Sequence, residues 1–238
     1  MLPLFKTYKD DIQLLESYVK KRADRVGAIN ILEAGCGQSW KIDLTGIKYH
    51  LTGVDIDRHA LEIRKNQTKD LDEIVEGDLL TVHLEENKYD IIYNSYVLEH
   101  IDGAEQVMKN FCRWLKPGGI MILRFPERQT AYGFLTRVTP FWLHVFYKRN
   151  MMGDPNAGKP GFAPYRVFYD PVVSHDGMRE FCERNKLIVR EEWGHPYPMK
   201  WDKYKPLLSF VCKTMYVLSF GQLAYAHNNL TYILEKKA

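Results

Sequence analysis

The sequence predicts an α/β fold in which helices cover both faces of a mostly parallel sheet. Short apolar stretches alternate with amphipathic ones through residues 29–125, which is the rhythm of successive strand–helix units. The first apolar stretch breaks into a glycine turn, and the next ones end in acidic or polar residues. Because parallel strands bring their carboxyl ends to one edge of a sheet, these residues predict a ligand site there.

The glycine turn indicates what kind of ligand this edge would take. Residues 29–32 form the first predicted strand, which leads into Glu33-Ala34-Gly35-Cys36-Gly37. Glycine has no Cβ, so the backbone can turn sharply and approach a ligand closely. Glu33 would repel a pyrophosphate but suits an ammonium group, and Trp40 occupies the position where a dinucleotide-binding turn has Gly or Ala. The turn therefore favours a nucleoside with a cationic tail over a dinucleotide.

The elements on either side of the turn follow the same alternation. A helix with a basic end is predicted over 9–25, before the turn. After it, a strand over 49–55 ends in Asp55, and Asp57 is the expected N-cap of a helix over 58–66. Further along the chain, a weak strand is predicted at 71–75, followed by Asp78, and another strand at 89–94. A helix capped by Asp102 comes next. It ends at the stop signal Lys116-Pro117-Gly118-Gly119, which leads into a strand at 120–125.

The alternation fails between residues 126 and 171, where prolines and glycines cluster around the aromatic run 141–147. So long an irregular segment is either functional or disordered, and its aromatic content argues against disorder. We therefore expect a cap that folds over the ligand end of the sheet. Regular structure is predicted to resume with a helix at 175–185, a strand at 187–193, a helix at 207–225 and a strand at 230–234.

These elements predict one domain over residues 1–238. Its parts are an N-terminal helical segment (1–28), a ligand-binding core (29–125), a substrate cap (126–171) and the C-terminal half of the sheet (172–238). A content of 45% hydrophobic and 26% charged residues is ordinary for a globular protein with a core. The net charge of +3 gives no nucleic-acid footprint, so no nucleic-acid partner is expected.

The cysteines, the histidines and the apolar segments of the sequence bear on the cellular compartment, on metal binding and on membrane contact. The four cysteines lie far apart without a CxxC pair, which predicts free thiols in a reducing, cytoplasmic compartment. The histidines have no metal-binding spacing, so no metal is expected, and the first residues do not form a signal peptide. The apolar stretch 207–221 is too short to cross a bilayer. A helix packed on the sheet is favoured, with a dimer face or a peripheral membrane contact as alternatives.

Taken in order, the motifs resemble those of one family. They are Glu33-Ala34-Gly35-Cys36-Gly37, Val54-Asp55-Ile56-Asp57, Gly77-Asp78-Leu79, the stretch Asp90–Ile101, and Leu115-Lys116-Pro117-Gly118-Gly119. Over residues 29–125 the chain resembles a class I S-adenosylmethionine-dependent methyltransferase of the type 11 kind. The resemblance implies a Rossmann-like, seven-stranded, mostly parallel sheet whose last strand is antiparallel, with a cap inserted after strand five.

The resemblance also implies a cofactor, S-adenosyl-L-methionine, which leaves as S-adenosyl-L-homocysteine. The glycine turn would pack against its methionine part, Asp55 would accept both ribose hydroxyls, and Asp78 would take the adenine amino hydrogen. Asn94 would meet the amino-acid end of the cofactor. The full set of expected cofactor-binding residues is Glu33, Gly35, Cys36, Gly37, Asp55, Ile56, Asp78, Leu79, Asn94 and Ser95.

The acceptor and the catalytic base are less closely defined by the pattern. His100, after the fourth strand, is the best-placed candidate base, with a packing role as the alternative and His144, His175 and His195 as further candidates. Arg124, Arg128 and Arg137 would either recognise an anionic group or lie on a solvated face. The residues expected to contact the acceptor are Tyr132, Trp142, Tyr147, Tyr165, Arg166 and Tyr169.

The expected activity is methyl transfer to a small or medium acceptor, with an oxygen nucleophile favoured, as on a sugar, glycan precursor or secondary metabolite. Asn94-Ser95-Tyr96 differs from the Asn-Pro-Pro-Tyr pattern of enzymes that methylate planar amino groups, which disfavours a DNA or protein-amide substrate. Two alternatives stay open. One is a non-catalytic binder of the cofactor, and the other is a nicotinamide-dependent oxidoreductase, which would also want an acid at Asp55.

Overall fold

The computed structural model describes residues 2–150, 153–159, 164–196 and 205–238, which form one sheet with helices on both faces. The strands are β1 (Ile29–Ala34), β2 (Tyr49–Asp55), β3 (Glu73–Glu76), β4 (Tyr89–Ser95), β5 (Leu115–Pro126), β6 (Leu187–His195) and β7 (Asn229–Lys236). The helices are α1 (Tyr8–Val26), α2 (Arg58–Ile63), α3 (Ala104–Trp114), α4 (Ala131–Val138), α5 (Phe141–Asn150), α6 (His175–Arg184) and α7 (Lys205–Leu218).

The strand order across the sheet is β3-β2-β1-β4-β5-β7-β6. Strands β1 to β5 are parallel, whereas β7 is antiparallel to both β5 and β6. The predicted seven-stranded, mostly parallel sheet with an antiparallel last strand is therefore confirmed. The order reverses between β1 and β4, and in open α/β sheets the crevice beside such a reversal is where ligands bind.

The core has one layer on each face of the sheet because neighbouring residues of a buried strand point in opposite directions. On β1, Ile31 packs in the layer beneath α1, and Leu32 packs in the layer that contains α3 and α6. Both side chains are fully buried. The strands are therefore held from both sides, and their carboxyl ends form a rigid platform.

Buried ion pairs attach α1 to the sheet. Thr7 and Asp10 form a capping box at its N-terminus. Within the helix, Asp11 lies 2.6 Å from the guanidinium of Arg124 on β5, and both side chains are buried. Arg22 bonds Asp90 on β4 at 2.8 Å. Arg124 is therefore neither an anion-binding residue of a cavity nor part of a solvated face, because a carboxylate of α1 already occupies it.

Several boundaries differ from those predicted. β5 begins at Leu115, so Lys116–Gly119 belong to the strand, and the register to β4 shifts beside them. Asp102 does not cap α3, since the N-cap is Gly103 with a φ of 94° and no side-chain bond. α7 ends at Leu218 rather than continuing to residue 225. Asp57 caps α2, as its sequence position predicts, and Ser174 caps α6.

The cap between β5 and α6 contains two helices, α4 and α5, among its described residues. Thr130 caps α4 by accepting a bond from the amide of Gly133 at 2.9 Å. None of the described helices is both long and apolar enough to cross a membrane.

Candidate active site

A cavity of about 910 Å³ opens where β1, β2 and β4 end, beside the loop that follows β3. We call it the strand-end cavity. Its lining includes seven of the ten residues predicted to bind the cofactor, together with His100. The seven are Gly35, Gly37, Asp55, Ile56, Asp78, Leu79 and Ser95.

The glycine turn shapes one wall of this cavity. Gly35 has a φ of 74°, and a Cβ placed on it would lie only 2.4 Å from Cγ2 of Val97. Gly37 also has a positive φ, but nothing lies within 4 Å of the position its Cβ would take. Gly35 is thus required by packing against the β4 loop, whereas Gly37 leaves open space through which a ligand can approach the backbone.

Asp55 ties this turn to the next loop. Its Oδ2 accepts a bond from the Gly37 amide and its Oδ1 one from the Asp57 amide, both at 2.8 Å. A carboxylate has about four acceptor sites, so two remain for a ligand. Asp55 therefore fixes the turn and can still accept a pair of hydroxyls.

Acidic side chains dominate the charge of the strand-end cavity. Asp55, Asp57, Asp78 and Asp102 line it, and no lysine or arginine appears among the described lining residues. These four carboxylates repel a pyrophosphate and attract a cation. This charge fits a nucleoside with a cationic tail and disfavours a dinucleotide.

Glu33, Cys36 and Asn94 lie behind the turn rather than on the cavity wall. The Glu33 carboxylate is 4% exposed and lies 2.8 Å from Arg64, which is itself fully buried. Burial raises the pKa of Glu33, and the cation opposes that shift only in part. Burial likewise raises the pKa of the Cys36 thiol to about 12. Asn94 donates from Nδ2 to the carbonyl of Ala34 at 2.8 Å.

Arg64 is a residue that the sequence analysis missed. It follows α2 in a single π-helical turn, Arg64–Thr68. Besides Glu33, it bonds Asp70 at 2.8 Å and the carbonyl of Cys36 at 2.8 Å. Arg64 therefore holds the glycine turn from below. No local pattern marks it, because two of its partners, Glu33 and the carbonyl of Cys36, come from a distant part of the chain.

The second cavity, of about 770 Å³, lies between the β4 loop and the cap, and we call it the cap cavity. Of the six residues predicted to contact an acceptor, Tyr132, Tyr165, Arg166 and Tyr169 line it. Trp142 and Tyr147 do not, and Trp142 is 67% exposed on α5. From the aromatic run of α5, Phe141 does line the cap cavity, and none of the described α5 residues is buried.

His100 lines both cavities. Its Nδ1 lies 2.6 Å from the carbonyl oxygen of Arg166, and because a carbonyl only accepts, Nδ1 carries the hydrogen. Nε2 then keeps a lone pair. Burial lowers the pKa of His100, so the ring is neutral near pH 7. A neutral imidazole with a fixed tautomer is suited to accept a proton.

The other candidate histidines have different surroundings. His144 also lines the cap cavity, but its Nε2 lies 3.1 Å from the carbonyl of Thr136 and holds α5 to α4. His175 pairs with Glu192, which raises its pKa to about 9. His195 is buried beside Thr231, and burial lowers its pKa to about 4. Of these four histidines, only His100 lines both cavities.

Glu99, next to His100, is a second residue that the sequence analysis missed. Its side chain lines the cap cavity and is 3% exposed. Oε1 lies 3.7 Å from Nε2 of His100, and Oε2 has no hydrogen-bond partner among the described residues. Burial without a neighbouring cation raises the pKa of Glu99 to about 8. The sequence shows that Glu99 is next to His100, but it does not show that the Glu99 side chain is buried.

A model of a methyltransferase domain matches residues 32–123 of the chain. A probable S-adenosylmethionine-dependent methyltransferase of Mycolicibacterium smegmatis is 29% identical over 128 residues, covering 53% of this chain and 49% of that protein. A demethylmenaquinone methyltransferase of Staphylococcus saprophyticus is 32% identical over 97 residues, covering 38% of this chain and 42% of that protein. The chain thus spans about half the length of these curated relatives.

A solved structure, that of the YcgJ protein from Bacillus subtilis, has the same fold. It superposes with a TM-score of 0.59 at 14% identity and covers 97% of this chain and 100% of that one. This similarity extends beyond the matched domain to the cap and the C-terminal strands. The matched domain and the named relatives support an S-adenosylmethionine-dependent methyltransferase, and the solved structure shows the same fold.

Proposed function

We propose that this protein transfers a methyl group from S-adenosylmethionine to a hydroxyl group of a small acceptor held in the cap cavity. The observation that supports it is the meeting of the two cavities at His100, Tyr96, Tyr165 and Phe168. A donor in one cavity and an acceptor in the other would face each other across these four residues. Such in-line placement supplies much of the rate of a transfer reaction.

The strand-end cavity suits the donor. Asp55 has acceptor sites left for the ribose hydroxyls, and Asp78 lies on the far side for the adenine amino group. The open space at Gly37 would admit the methionine part of the donor. Glu33 and Asn94 then act through the turn, which they and Arg64 hold from behind, rather than by direct contact.

When bound, S-adenosylmethionine supplies a methyl carbon on a positively charged sulfur. An acceptor oxygen forms the new carbon–oxygen bond with a lone pair, while the carbon–sulfur bond breaks and its electron pair stays on sulfur. The acceptor proton passes to Nε2 of His100, whose Nδ1 is fixed on the Arg166 carbonyl. An oxygen nucleophile is favoured because a buried base at this point serves a hydroxyl better than an already nucleophilic amine.

The cap cavity has room for a small acceptor such as a sugar, a glycan precursor or a secondary metabolite. Its walls are largely aromatic, with Tyr132, Tyr165, Phe168 and Tyr169 among them. We place the reaction in a reducing compartment such as the cytoplasm, because Cys36, Cys112 and Cys182 are free thiols and two of them are buried. A peripheral contact with a membrane remains an alternative for the exposed apolar residues of α7, Phe210 and Val217.

Two measurements test the proposal. Calorimetric titration with S-adenosylhomocysteine should give saturable binding, and release of S-adenosylhomocysteine from S-adenosylmethionine should rise above background with members of a hydroxylated acceptor panel. Binding without release across the whole panel would favour the non-catalytic alternative. A thermal shift with NADH but none with S-adenosylhomocysteine would favour the oxidoreductase and contradict the proposal.

A further inference from the structure

The two adjoining cavities differ in the sign of their charge. The strand-end cavity is lined by four aspartates and by no described lysine or arginine. The cap cavity is lined by Arg137, Lys148 and Arg166, and Glu99 is the one carboxyl among its described lining residues. Two sites that share a wall therefore have opposite electrostatic preferences, and the second prefers an anion.

Among the residues that the structure describes, no carboxylate forms an ion pair with any of the three cations of the cap cavity. The guanidinium of Arg166 lies 5.8 Å from the centre of the Phe141 ring, and that of Arg137 lies 5.7 Å from the Phe134 ring. Contact with an aromatic face orients a guanidinium while leaving its N–H groups free to donate.

Glu99 does not cancel this positive charge. It lies deeper than the cations, and its raised pKa means that it retains its proton near pH 7. In that form Oε1 or Oε2 carries a hydrogen and can donate to a ligand oxygen. Oε2 is buried and has no hydrogen-bond partner among the described residues, so no described group accepts or donates there before a ligand binds.

The proposed base, His100, is hydrogen-bonded to the backbone carbonyl of Arg166, one of the three cations. Because of this bond, the segment that carries the guanidinium also sets the position of the imidazole. An acceptor whose negative group binds at Arg166 would therefore have a fixed distance to Nε2 of His100. The Tyr165 ring stands edge-on to the His100 ring, with 5.6 Å between the ring centres, and Tyr165 and Phe168 line both cavities.

We propose that the acceptor is an anion: a flat or largely apolar molecule with a carboxylate or phosphate group. The negative group is held by Arg137, Lys148 and Arg166, and the hydroxyl to be methylated reaches Glu99 and His100. This inference rests on the proposed function for the reaction itself. The binding preference, however, can be measured without any turnover.

The test titrates the complex with S-adenosylhomocysteine, at low salt, with three probes of similar size: benzoate, phenyl phosphate and the neutral benzyl alcohol. We expect one or both anions to bind at least tenfold more tightly than benzyl alcohol. The two anions distinguish a carboxylate site from a phosphate site. In the variant Arg137→Gln/Lys148→Gln/Arg166→Gln this preference should disappear while benzyl alcohol binds as before.

The matched control is Arg25→Gln/Lys48→Gln/Lys65→Gln, which removes three exposed cations outside both cavities and should keep the preference. If the cap triple variant does not fold, the single variants Arg137→Gln and Lys148→Gln should each lower the affinity for the anion about threefold or more. Repeating the titrations without S-adenosylhomocysteine separates failure of anion binding from failure of cofactor binding. Equal affinities for all three probes, no binding of any, or an equal loss in the control would overturn the inference.

Discussion

The Arg64 guanidinium lies 2.8 Å from the Glu33 carboxylate, and neither side chain is more than 5% exposed. Such a pair is costly to break because the remaining charge stays buried. We expect Arg64→Met to lower the free energy of unfolding by about 3–5 kcal/mol. Urea denaturation measures this change. Adding Glu33→Gln to Arg64→Met should recover part of the loss.

The control for this prediction is Arg58→Met on α2. Arg58 pairs with Glu62 but is 76% exposed, and such surface pairs contribute about 1 kcal/mol or less. If Arg64→Met costs no more than Arg58→Met, then Arg64 does not support the glycine turn.

Asp55→Asn should weaken binding of S-adenosylhomocysteine by tenfold or more. The change removes the charge from hydrogen bonds to the ligand, each of about 1.5–3 kcal/mol, and weakens those to the amides of Gly37 and Asp57. Calorimetric titration gives the affinity. Glu62→Gln, a nearby exposed carboxyl outside the cavity, should leave it unchanged. An unaltered affinity in Asp55→Asn would contradict the assignment of the cofactor site.

Comparing Gly35→Ala with Gly46→Ala separates two costs of replacing a glycine: the left-handed backbone conformation and a steric contact of the new Cβ. A left-handed conformation costs an alanine about 1–2 kcal/mol, and contact with Val97 should add about 1–3 kcal/mol by overpacking. Gly46 has a φ of 79° with nothing within 4 Å of its Cβ position. Gly46→Ala should therefore show the first cost alone and retain cofactor binding. Equal effects on unfolding and on S-adenosylhomocysteine affinity would mean that Val97 yields without cost.

His100→Ala should lower turnover about 100- to 10,000-fold, the range typical for loss of a general base. Its affinity for S-adenosylhomocysteine should stay within about twofold, since a base contributes little to cofactor binding. In the wild type, kcat/KM should rise with pH through an apparent pKa below the ordinary histidine value, because burial lowers the pKa of His100. His83→Ala, an exposed histidine outside both cavities, is the control. A pH profile that survives in His100→Ala would assign the base elsewhere.

Glu99 makes stability depend on pH in an unusual direction. Its pKa is raised from 4.5 in the unfolded chain to about 8 in the fold, so the folded state holds one more proton between these values. Stability from this group is complete below pH 4.5 and is lost as pH rises toward 8. At about 1.4 kcal/mol per pKa unit, the loss is of the order of a few kcal/mol.

Urea denaturation at pH 5 and pH 8 measures this loss. Glu99→Gln should remove it, because glutamine keeps the shape of the side chain and has no proton to lose. The exposed Glu62→Gln should leave the difference between the two pH values as in the wild type. An unchanged difference in Glu99→Gln would show that Glu99 is ionised in the folded protein.

The strand-end residues could be predicted because each strand–helix unit repeats the same local arrangement. Asp55 and Asp78 follow their strands directly, and nothing distant is needed to bring them to the edge of the sheet. Arg64 could not be predicted, because its buried partners Glu33 and the Cys36 carbonyl reach it from β1 and the turn that follows β1. Arg124 illustrates the same limit, since its partner Asp11 comes from the first helix.

The cap was the least predictable part for a related reason. Its aromatic composition indicated an ordered segment. Which of its side chains face the cavity, however, depends on how α4 and α5 lie on the sheet. Tyr169 is buried in the cap cavity, whereas Trp142, of the same chemical kind, faces away from it. Periodicity alone does not distinguish them, because α5 is apolar on several sides.

The place of β7 has a consequence for the order in which this protein can be made. β7 bonds β5 on one edge and β6 on the other, and it lies after both of them in the chain. During synthesis, the ribosome has therefore produced β5 and β6 long before residues 229–236 exist to join them. Until then, β5 and β6 each have an edge of unpaired backbone groups, with which other chains can associate. Until β7 leaves the ribosome, the nascent chain therefore exposes the strand edges that β7 covers in the folded protein.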